Sequence, residues 1–328
     1  MLMNYSIVDK LGYIDEDIDS NIDLKVAIRK IKEEKNAVIL AHYYQRPEVQ
    51  DIADFVGDSL ALSLKAASLN SSLILFAGVK FMAETVKILR PNSQVLIPDL
   101  NAGCSLADSC QFSDFKKFID LHPNHIVVTY VNSSAEVKTI SDICCTSSNA
   151  IKVVKSLNNS TPVIFAPDIN LGSYVKSTLN RSNMVLWNGS CHIHNQFILQ
   201  DIITLKTKHP KAKVIAHPEC QNSILLISDF IGSTKSLLDF TYNSNNTDFI
   251  VVTEPGIIHQ MKKLSPQKNF YFPYVQNEEC YCNECSYMKL NNLKKIYLTL
   301  KYEYPYINLE PDIISKAAIP INRMLKIN

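Results

Sequence analysis

The chain lacks an excess of charge of either sign, and it lacks any long apolar segment. Its 328 residues carry a formal net charge of +1, which gives no electrostatic footprint for nucleic acid or for an anionic membrane surface. The apolar runs, such as residues 73–79, are far shorter than the roughly 20 residues that a membrane-spanning helix needs. These absences predict a protein with neither nucleic-acid nor membrane partners.

The first 23 residues also lack the features of a secretion signal, because Asp, Glu and Asn are mixed with isolated aliphatic residues and no continuous apolar stretch is present. The nine cysteines are odd in number and lie scattered between positions 104 and 285. That distribution is typical of free thiols or metal ligands in a reducing compartment, and it argues against a disulfide framework. We therefore expect a cytoplasmic protein.

What is present is a pattern of short strands and helices that occurs three times. With 46% hydrophobic residues, the chain is long enough for two or three domains. Short apolar runs predict three strands in each pass, with helical segments between them. The predicted strands cover residues 38–40, 73–76 and 95–97 in the first pass, 126–129, 163–165 and 184–187 in the second, and 213–216, 249–252 and 270–272 in the third.

In every pass a His or Tyr at the end of the first strand precedes a helix-start hydroxyl by 17 positions. The pairs are His42 and Ser59, Tyr130 and Ser147, and His217 and Thr234. Matched offsets favour a triplicated unit over a chance alignment of apolar runs. We predict an α/β fold of three similar domains, each a small parallel sheet flanked by helices, in a pseudo-threefold arrangement around a central site. The predicted domains are residues 1–107, 108–194 and 195–286, with helices in 287–328 packing back on the first.

These six residues are predicted to face a common ligand. Ligands of parallel sheets meet the carboxyl ends of the strands, and helix N-termini favour a carboxylate or a phosphate. As an alternative, each hydroxyl alone is an ordinary N-cap worth about 1 kcal/mol. Three hydroxyls in register, each behind a strand-end His or Tyr, favour converging domains with an anionic ligand between them.

Two further segments carry candidates for proton transfer. The run His217-Pro218-Glu219-Cys220 comes immediately after a predicted strand, so His217 and Glu219 are candidates for an acid and a base beside a Lewis acid. His194 follows Cys191 by three positions and is a similar candidate. The alternative for each side chain is an ordinary loop residue that hydrogen-bonds to the backbone.

One cysteine closes each pass: Cys104, Cys191 and Cys285. Three such thiolates can hold three irons of a 4Fe-4S cluster and leave the fourth iron open, and an open iron is a Lewis acid. The alternative is a local zinc or iron site made by Cys280, Cys282 and Cys285 with Cys220 or a histidine. The Cys-x3-Cys-x2-Cys order of radical enzymes that use S-adenosylmethionine is absent. The remaining cysteines are expected to be spare thiols: Cys110, Cys144, Cys145 and Cys220.

Nine motifs, taken in order, resemble those of one enzyme family. They are Ala41-His42-Tyr43-Tyr44-Gln45, Gly57-Asp58-Ser59-Leu60, Gly103-Cys104, Tyr130-Val131-Asn132, Cys145-Thr146-Ser147-Ser148-Asn149-Ala150, Cys191-His192-Ile193-His194, His217-Pro218-Glu219-Cys220, Gly232-Ser233-Thr234 and Cys285-Ser286-Tyr287-Met288-Lys289. Together they resemble the quinolinate synthase family from about residue 24 to the C-terminus. Several of these motifs are weak individually, but their order is specific.

The resemblance implies three similar α/β domains around a central site and one 4Fe-4S cluster per chain. It implies the ligands Cys104, Cys191 and Cys285, the last because it alone precedes the Met-Lys of the final motif. It also implies a transferase or lyase-type condensation of iminoaspartate with dihydroxyacetone phosphate, with loss of phosphate and two waters, to give quinolinate for NAD biosynthesis. An L-aspartate oxidase or dehydrogenase would supply the iminoaspartate.

The resemblance also implies roles for the strand-end and helix-start residues. The implied catalytic residues are Tyr44, Tyr130, His217 and Glu219. The implied substrate-binding residues are His42, Ser59, Tyr130, Asn132, Ser147, His194, His217, Glu219, Ser233 and Thr234. In this interpretation the open iron holds an oxygen or nitrogen of the intermediate, while Glu219, His217 and the tyrosines move protons.

The final cysteine motif departs locally from the family. Cys280 and Cys282 give a Cys-x-Cys-x2-Cys arrangement, which opens the possibility of a thiol switch at either residue. Two other functions stay open at this point. One is another cluster-dependent hydro-lyase, and the other is a binding protein stabilised by zinc.

Overall fold

The computed structural model describes residues 5–273 and 283–327, so Cys280 and Cys282 lie outside the described residues. The chain divides into two compact units. The first unit combines Met1–Cys104 with Ser286–Ala318, and the second combines Ser105–Cys285 with Ile319–Asn328. The predicted three-domain boundaries stay a prediction.

The described elements alternate between helix and strand along nearly the whole chain. Up to residue 96 they are α1 (Tyr5–Leu11), α2 (Leu24–Glu34), β1 (Ala37–His42), α3 (Pro47–Ile52), β2 (Phe55–Gly57), α4 (Ser59–Ser68), β3 (Leu73–Ala77), α5 (Lys80–Leu89) and β4 (Gln94–Leu96). The next elements are α6 (Ser105–Asp108), α7 (Phe112–Asp120), β5 (Ile126–Tyr130), α8 (Ala135–Thr139), β6 (Ile143–Cys145), α9 (Ala150–Ser156), β7 (Val163–Ala166), α10 (Ile169–Thr178) and β8 (Met184–Leu186).

The remaining elements repeat the same alternation and then end in helices. They are α11 (His192–Asn195), α12 (Leu199–Lys208), β9 (Lys213–Ala216), α13 (Asn222–Leu225), β10 (Phe230–Ile231), α14 (Thr234–Asn243), β11 (Asp248–Val252), α15 (Ile257–Leu264), β12 (Asn269–Tyr271), α16 (Ser286–Lys289), α17 (Leu293–Tyr302) and α18 (Pro311–Leu325).

The strands form three four-stranded sheets with one strand order. The orders are β2-β1-β3-β4, β6-β5-β7-β8 and β10-β9-β11-β12, and every pairing within the sheets is parallel. The inner strands β3 and β7 are buried at every position, as is typical of parallel sheets whose two faces are both covered. The predicted fold class of three similar α/β domains is confirmed.

A carboxylate marks the same position in all three sheets. The residue before the second strand accepts a hydrogen bond from a backbone N–H of the first strand at 2.8 Å each time. The pairs are Asp54 with Ile39, Asp142 with Val127, and Asp229 with Val214. Since His42, Tyr130 and His217 each lie three positions after the N–H donor, the structure places these three residues at equivalent points of the repeat.

Removing one of these carboxylates should destabilise the second unit measurably. In Asp142→Ala the N–H of Val127 loses its acceptor, and a lost hydrogen bond of this kind costs about 1 kcal/mol. We expect a lower urea midpoint of unfolding. The control is Asp114→Ala, because Asp114 is exposed and forms its ion pair with Lys117, which is exposed as well. An equal midpoint for Asp142→Ala and wild type would contradict the prediction.

Each sheet has its own apolar core. In the first unit, Ile296 and Leu300 of α17 pack into the cluster that contains Ile39 and Leu75 of the sheet. In the second unit, one cluster lies around Phe115 and Ile164. Another cluster in that unit surrounds β9 and β11 and includes Cys220. No helix in the described part of the chain is long and apolar enough to cross a membrane.

Candidate active site

A buried carboxylate lies at the centre of a polar network in the second unit. Glu219 follows β9 by three residues and is 2% exposed. The Tyr130 hydroxyl, at the end of β5, donates a hydrogen bond to Glu219 Oε1 at 2.6 Å. His194 Nδ1, from α11, lies 3.0 Å from the other oxygen, Oε2. The end of β5, the loop after β9 and the short helix α11 therefore bring Tyr130, Glu219 and His194 into direct contact.

This network keeps Glu219 ionised. Burial alone would raise its pKa, but the charges of His217 and His194 and hydrogen bonds from His194 and Tyr130 outweigh burial and lower the pKa to about 2. The carboxylate is therefore negative at neutral pH and is held by hydrogen bonds from a hydroxyl and an imidazole. The acid and base roles of His217 and Glu219 stay a prediction.

The two histidines are held face to face. The rings of His194 and His217 stack with centroids 4.4 Å apart and an interplanar angle of 16°. His194 Nε2 lies 2.9 Å from the Thr253 hydroxyl, and His217 Nε2 lies 3.2 Å from the Ser147 hydroxyl. His217 Nδ1 is 3.7 Å from Glu219 Oε1. Both rings are therefore oriented by side chains that come from neighbouring loops.

The predicted hydroxyls occupy loop and helix-start positions in the second unit. Ser233 is the N-cap of α14, its hydroxyl accepts a hydrogen bond from Ser148 at 2.7 Å, and Thr234 is the first helical residue. Ser147 differs from the prediction, because α9 begins only at Ala150. The Asn149 side-chain oxygen accepts the N–H of Thr146 at 2.8 Å and holds residues 146–149 as a turn. Ser147 therefore lies before the helix and reaches His217 instead.

Asn132 offers an unsatisfied acceptor in the same unit. It follows β5 by two residues, and its Oδ1 is buried with no hydrogen-bond partner among the described residues. Buried polar atoms in folded proteins nearly always have a partner. An oxygen in this state is suited to accept a hydrogen bond from a bound molecule.

The first unit holds the other predicted residues. His42 ends β1 and is 3% exposed. Its Nδ1 accepts the backbone N–H of Tyr44 at 3.2 Å, and the two rings meet edge to face with centroids 4.5 Å apart. Ser59 is the first residue of α4, whose N-cap Asp58 accepts the N–H of Ala61 at 3.0 Å. In this unit the strand-end and helix-start positions agree with the sequence expectation.

The cysteines fall into two groups by burial. The three predicted ligands Cys104, Cys191 and Cys285 are half-buried. The other described cysteines are buried in the sheets and cores: Cys110, Cys144, Cys145 and Cys220. Burial raises the pKa of the Cys110 and Cys144 thiols to about 12, and it raises those of Cys145 and Cys220 well above the usual range. A metal ligand must be a thiolate, and burial disfavours the thiolate form at Cys110, Cys144, Cys145 and Cys220.

Two buried carboxylates beside these cysteines were not predicted from the sequence. Asp168 Oδ2 accepts the N–H of Cys191 at 3.2 Å, and Glu254 Oε1 accepts the N–H of Cys285 at 3.3 Å. Each acid lies two residues after its strand, β7 or β11, and both are fully buried. Val79 has the corresponding position after β3. An acidic residue at this offset in two of the three passes was the available sequence signal.

The second oxygen of each acid binds another backbone N–H. Asp168 Oδ1 accepts from Leu171 at 2.7 Å, and Glu254 Oε2 accepts from Gly256 at 2.7 Å. Burial and, after it, the charge of Glu219 raise the pKa of Asp168 well above its usual value, although the backbone hydrogen bonds oppose the rise. Both acids thus use both oxygens to fix local backbone.

One group of side chains in the described part of the chain has the composition and spacing of a metal site. A sulfur of Cys191, a ring nitrogen of His194 and a carboxylate oxygen of Glu219 all lie within 4.8 Å of one another. Cys191 is the N-cap of α11, and His194 is the third residue of that helix. The helix therefore presents two of the three donor atoms from a single turn.

A family model and individual relatives of this chain point to the same protein family. The family model described as "Quinolinate synthetase A protein" matches residues 26–326. A quinolinate synthase of Microcystis aeruginosa is 54% identical over 306 residues, which cover 93% of this chain and 95% of that protein. Quinolinate synthases of Synechocystis and Thermosynechococcus vestitus are 54% and 53% identical, over 92% and 94% of this chain and 95% and 96% of their own lengths.

Proposed function

The chain belongs to the quinolinate synthetase A family, and on that premise we propose that it is a quinolinate synthase of NAD biosynthesis. It condenses iminoaspartate with dihydroxyacetone phosphate and releases phosphate and two waters. The observation that carries this proposal is the buried contact of Tyr130 and His194 with the ionised Glu219, because the condensation and both dehydrations need protons to be moved away from bulk water.

The proposed cofactor is one 4Fe-4S cluster, held by Cys104, Cys191 and Cys285. Support comes from the family and from the burial pattern, since these are the described cysteines that are only half-buried. When bound, such a cluster supplies one iron without a protein ligand, which acts as a Lewis acid toward substrate oxygen or nitrogen. The remaining chemistry is assigned to side chains of the protein.

Glu219 is proposed as the base that removes a proton from a substrate carbon. Tyr130 is hydrogen-bonded to the same carboxylate, so once Glu219 has taken the substrate proton it can return that proton to the Tyr130 oxygen while Tyr130 gives its own proton to the departing hydroxide, which leaves as water. His217 and Tyr44 are the further proton carriers of the proposal. Glu219 is ionised and so has an oxygen free of its own proton, and its lowered pKa makes it a weaker base than an ordinary carboxylate, so the proton it takes up is readily passed on.

The substrate carboxylates and phosphate are proposed to bind the hydroxyls and imidazoles at strand ends and helix starts. In the second unit these are Tyr130, Asn132, Ser147, His194, His217, Ser233 and Thr234, with Glu219 facing the reacting carbons. In the first unit they are His42 and Ser59. Helix N-termini and neutral donors suit anionic groups, and the unpaired Asn132 oxygen suits a substrate hydroxyl or imine N–H.

The direct test is quinolinate formation by protein that is purified anaerobically. Iminoaspartate is generated in the assay by an L-aspartate oxidase or dehydrogenase, which is the class of enzyme proposed to supply it in the cytoplasm. We expect a brown protein that forms quinolinate only when both substrates are present. A brown protein that instead dehydrates a hydroxy acid would favour the hydro-lyase alternative. Colourless, inactive protein with stoichiometric zinc would favour the binding protein.

Asp168 and Glu254, which accept the backbone N–H groups of Cys191 and Cys285, should affect how well the protein retains the cluster. Asp168→Asn and Glu254→Gln each replace one accepting oxygen by an NH₂ group, which leaves a buried N–H facing another donor and costs about 1–3 kcal/mol. We expect the cysteine loops to shift and the bound iron per chain to fall. Iron and sulfide analysis after anaerobic gel filtration measures this.

The matched control for that experiment is Asp142→Asn. Asp142 also accepts a strand N–H, but that N–H belongs to Val127 and not to a cysteine. Iron content that stays at the wild-type level in Asp168→Asn and Glu254→Gln, or that falls equally in Asp142→Asn, would show that these acids have no specific role at the cysteines.

A further inference from the structure

The group Cys191, His194 and Glu219 offers a set of donors that differs from a cluster site. It combines one sulfur, one nitrogen and one oxygen, and these three atoms lie within 4.8 Å of one another. Thiolate, imidazole and carboxylate are the ligands of zinc and similar divalent ions. We propose that these three residues form a mononuclear site for a divalent transition metal of the zinc type, and that an ion bound there excludes the iron–sulfur cluster.

The distances are close to those of a tetrahedral metal. With bonds of about 2.0–2.3 Å, the ligand atoms of such a site lie roughly 3.3–3.8 Å apart. His194 Nδ1 and Glu219 Oε2 are already 3.0 Å apart, so an ion that replaces the shared proton needs only a small separation of the two side chains. All three donor atoms lie within 4.8 Å of one another, so no pair has to approach by more than about 1.5 Å to reach that spacing, which a side-chain rotation can provide.

The charges also suit a divalent cation. The Cys191 thiolate and the Glu219 carboxylate carry one negative charge each, and the imidazole of His194 is neutral when it binds a metal. One divalent ion therefore gives an uncharged site. Glu219 is 2% exposed, and a buried charge is stabilised by a compensating charge beside it.

Each of the three proposed ligand residues already makes a hydrogen bond to a second residue that can orient it. His194 Nε2 contacts the Thr253 hydroxyl at 2.9 Å, which leaves Nδ1 for the ion. The Tyr130 hydroxyl holds Glu219 Oε1, which leaves Oε2 for the ion. Asp168 holds the backbone N–H of Cys191. Partners of this kind orient ligands in natural metal sites and are worth about 10–100-fold in metal affinity.

The exclusion of the cluster follows from the shared thiolate and rests on the proposed function. The Cys191 sulfur would be needed by both centres, and a zinc-type ion would also occupy His194 and Glu219, which the proposed reaction uses. Zinc binding is thus expected to give a stable, inactive form of the protein. Three protein ligands leave a fourth position for water, as in open zinc sites.

The zinc site is tested first on metal-free protein under anaerobic conditions with a thiol-free reductant. Zinc is titrated against a chromophoric chelator, and we expect one ion per chain. His194→Ala, Cys191→Ala and Glu219→Gln should each weaken binding by at least about tenfold. His192→Ala is the matched control, because His192 lies in the same helix but contacts Ser105 at 2.6 Å. Equal loss in His192→Ala and His194→Ala overturns the site.

The other cysteines separate this site from the alternatives. Cys104→Ala and Cys285→Ala should lose the cluster and keep the zinc, whereas His194→Ala should lose the zinc and keep the cluster. Loss of zinc in Cys285→Ala would place the ion at the C-terminal cysteines and would overturn the proposal. Cobalt in place of zinc adds a direct readout, since a thiolate-to-cobalt charge-transfer band is expected in wild type and absent in Cys191→Ala.

Exclusion is tested by cluster reconstitution with and without prior zinc. Zinc-loaded wild type should gain little iron and sulfide, while His194→Ala should gain both whether or not zinc is present. Full reconstitution of zinc-loaded wild type overturns the exclusion. A metal-free wild type that gains no cluster at all contradicts the proposed function instead, and the zinc titration then still decides whether the mononuclear site exists.

Discussion

Cys104→Ala, Cys191→Ala and Cys285→Ala are each expected to purify without the iron–sulfur cluster and without quinolinate-forming activity. A 4Fe-4S cluster with three protein ligands already has one open iron, so the loss of a further thiolate leaves half of the irons without protein ligands. We expect activity to fall to background and iron and sulfide per chain to fall with it. The effect should be the same for all three residues although they are far apart in the chain.

The controls for this prediction are cysteines with a different environment. Cys110→Ala removes a buried thiol from the core around Phe115, and we expect normal iron content because burial raises the pKa of that thiol to about 12. Cys280→Ala and Cys282→Ala should also keep the cluster. Full iron content in one of the three ligand variants refutes that assignment. Loss of iron in Cys280→Ala or Cys282→Ala would favour the local C-terminal site.

Most of the fold follows from patterns that are visible in the sequence. The nine strands predicted from apolar runs are all present, because inner strands of a parallel sheet are buried on both faces and read as continuous apolar segments. The strands β2, β6 and β10 were missed. They have only two or three residues, which is too short to be recognised as a separate apolar run, and they are held by pairing with β1, β5 and β9.

The sequence predicts the site residues less well where their side chains hydrogen-bond to backbone groups. The strand-end positions of Tyr130 and His217 follow from apolar periodicity and matched spacing. The matching offset of Asp168 and Glu254 after their strands was visible, but it does not say which backbone N–H each carboxylate contacts, because the contacts with Cys191 and Cys285 span 23 and 31 residues. The turn that Asn149 makes before α9 was missed for a related reason, since Asn also fits a helix start.

Glu219→Gln is expected to lower kcat by about 10²–10⁴-fold, the usual contribution of a general base. The glutamine has nearly the same shape, so it can keep a hydrogen bond with Tyr130, but its amide cannot take up a proton. His194 also loses the charge of its partner. Because none of the three proposed cluster ligands is changed, the iron and sulfide content should equal that of wild type. Loss of activity with full iron content separates a role in proton transfer from a role in holding the cluster.

Two further variants make this result specific. Glu219→Asp keeps the carboxylate but shortens it by one methylene, and we expect it to recover part of the activity because the group can still accept a proton. Glu136→Gln changes an exposed glutamate of α8 in the same unit and should leave kcat unchanged. If Glu219→Gln and Glu219→Asp were equally impaired, the carboxylate would act through the positions of Tyr130 and His194 and not as the base. If Glu219→Gln retained wild-type kcat, proton transfer would have to be assigned to His217 or to the tyrosines.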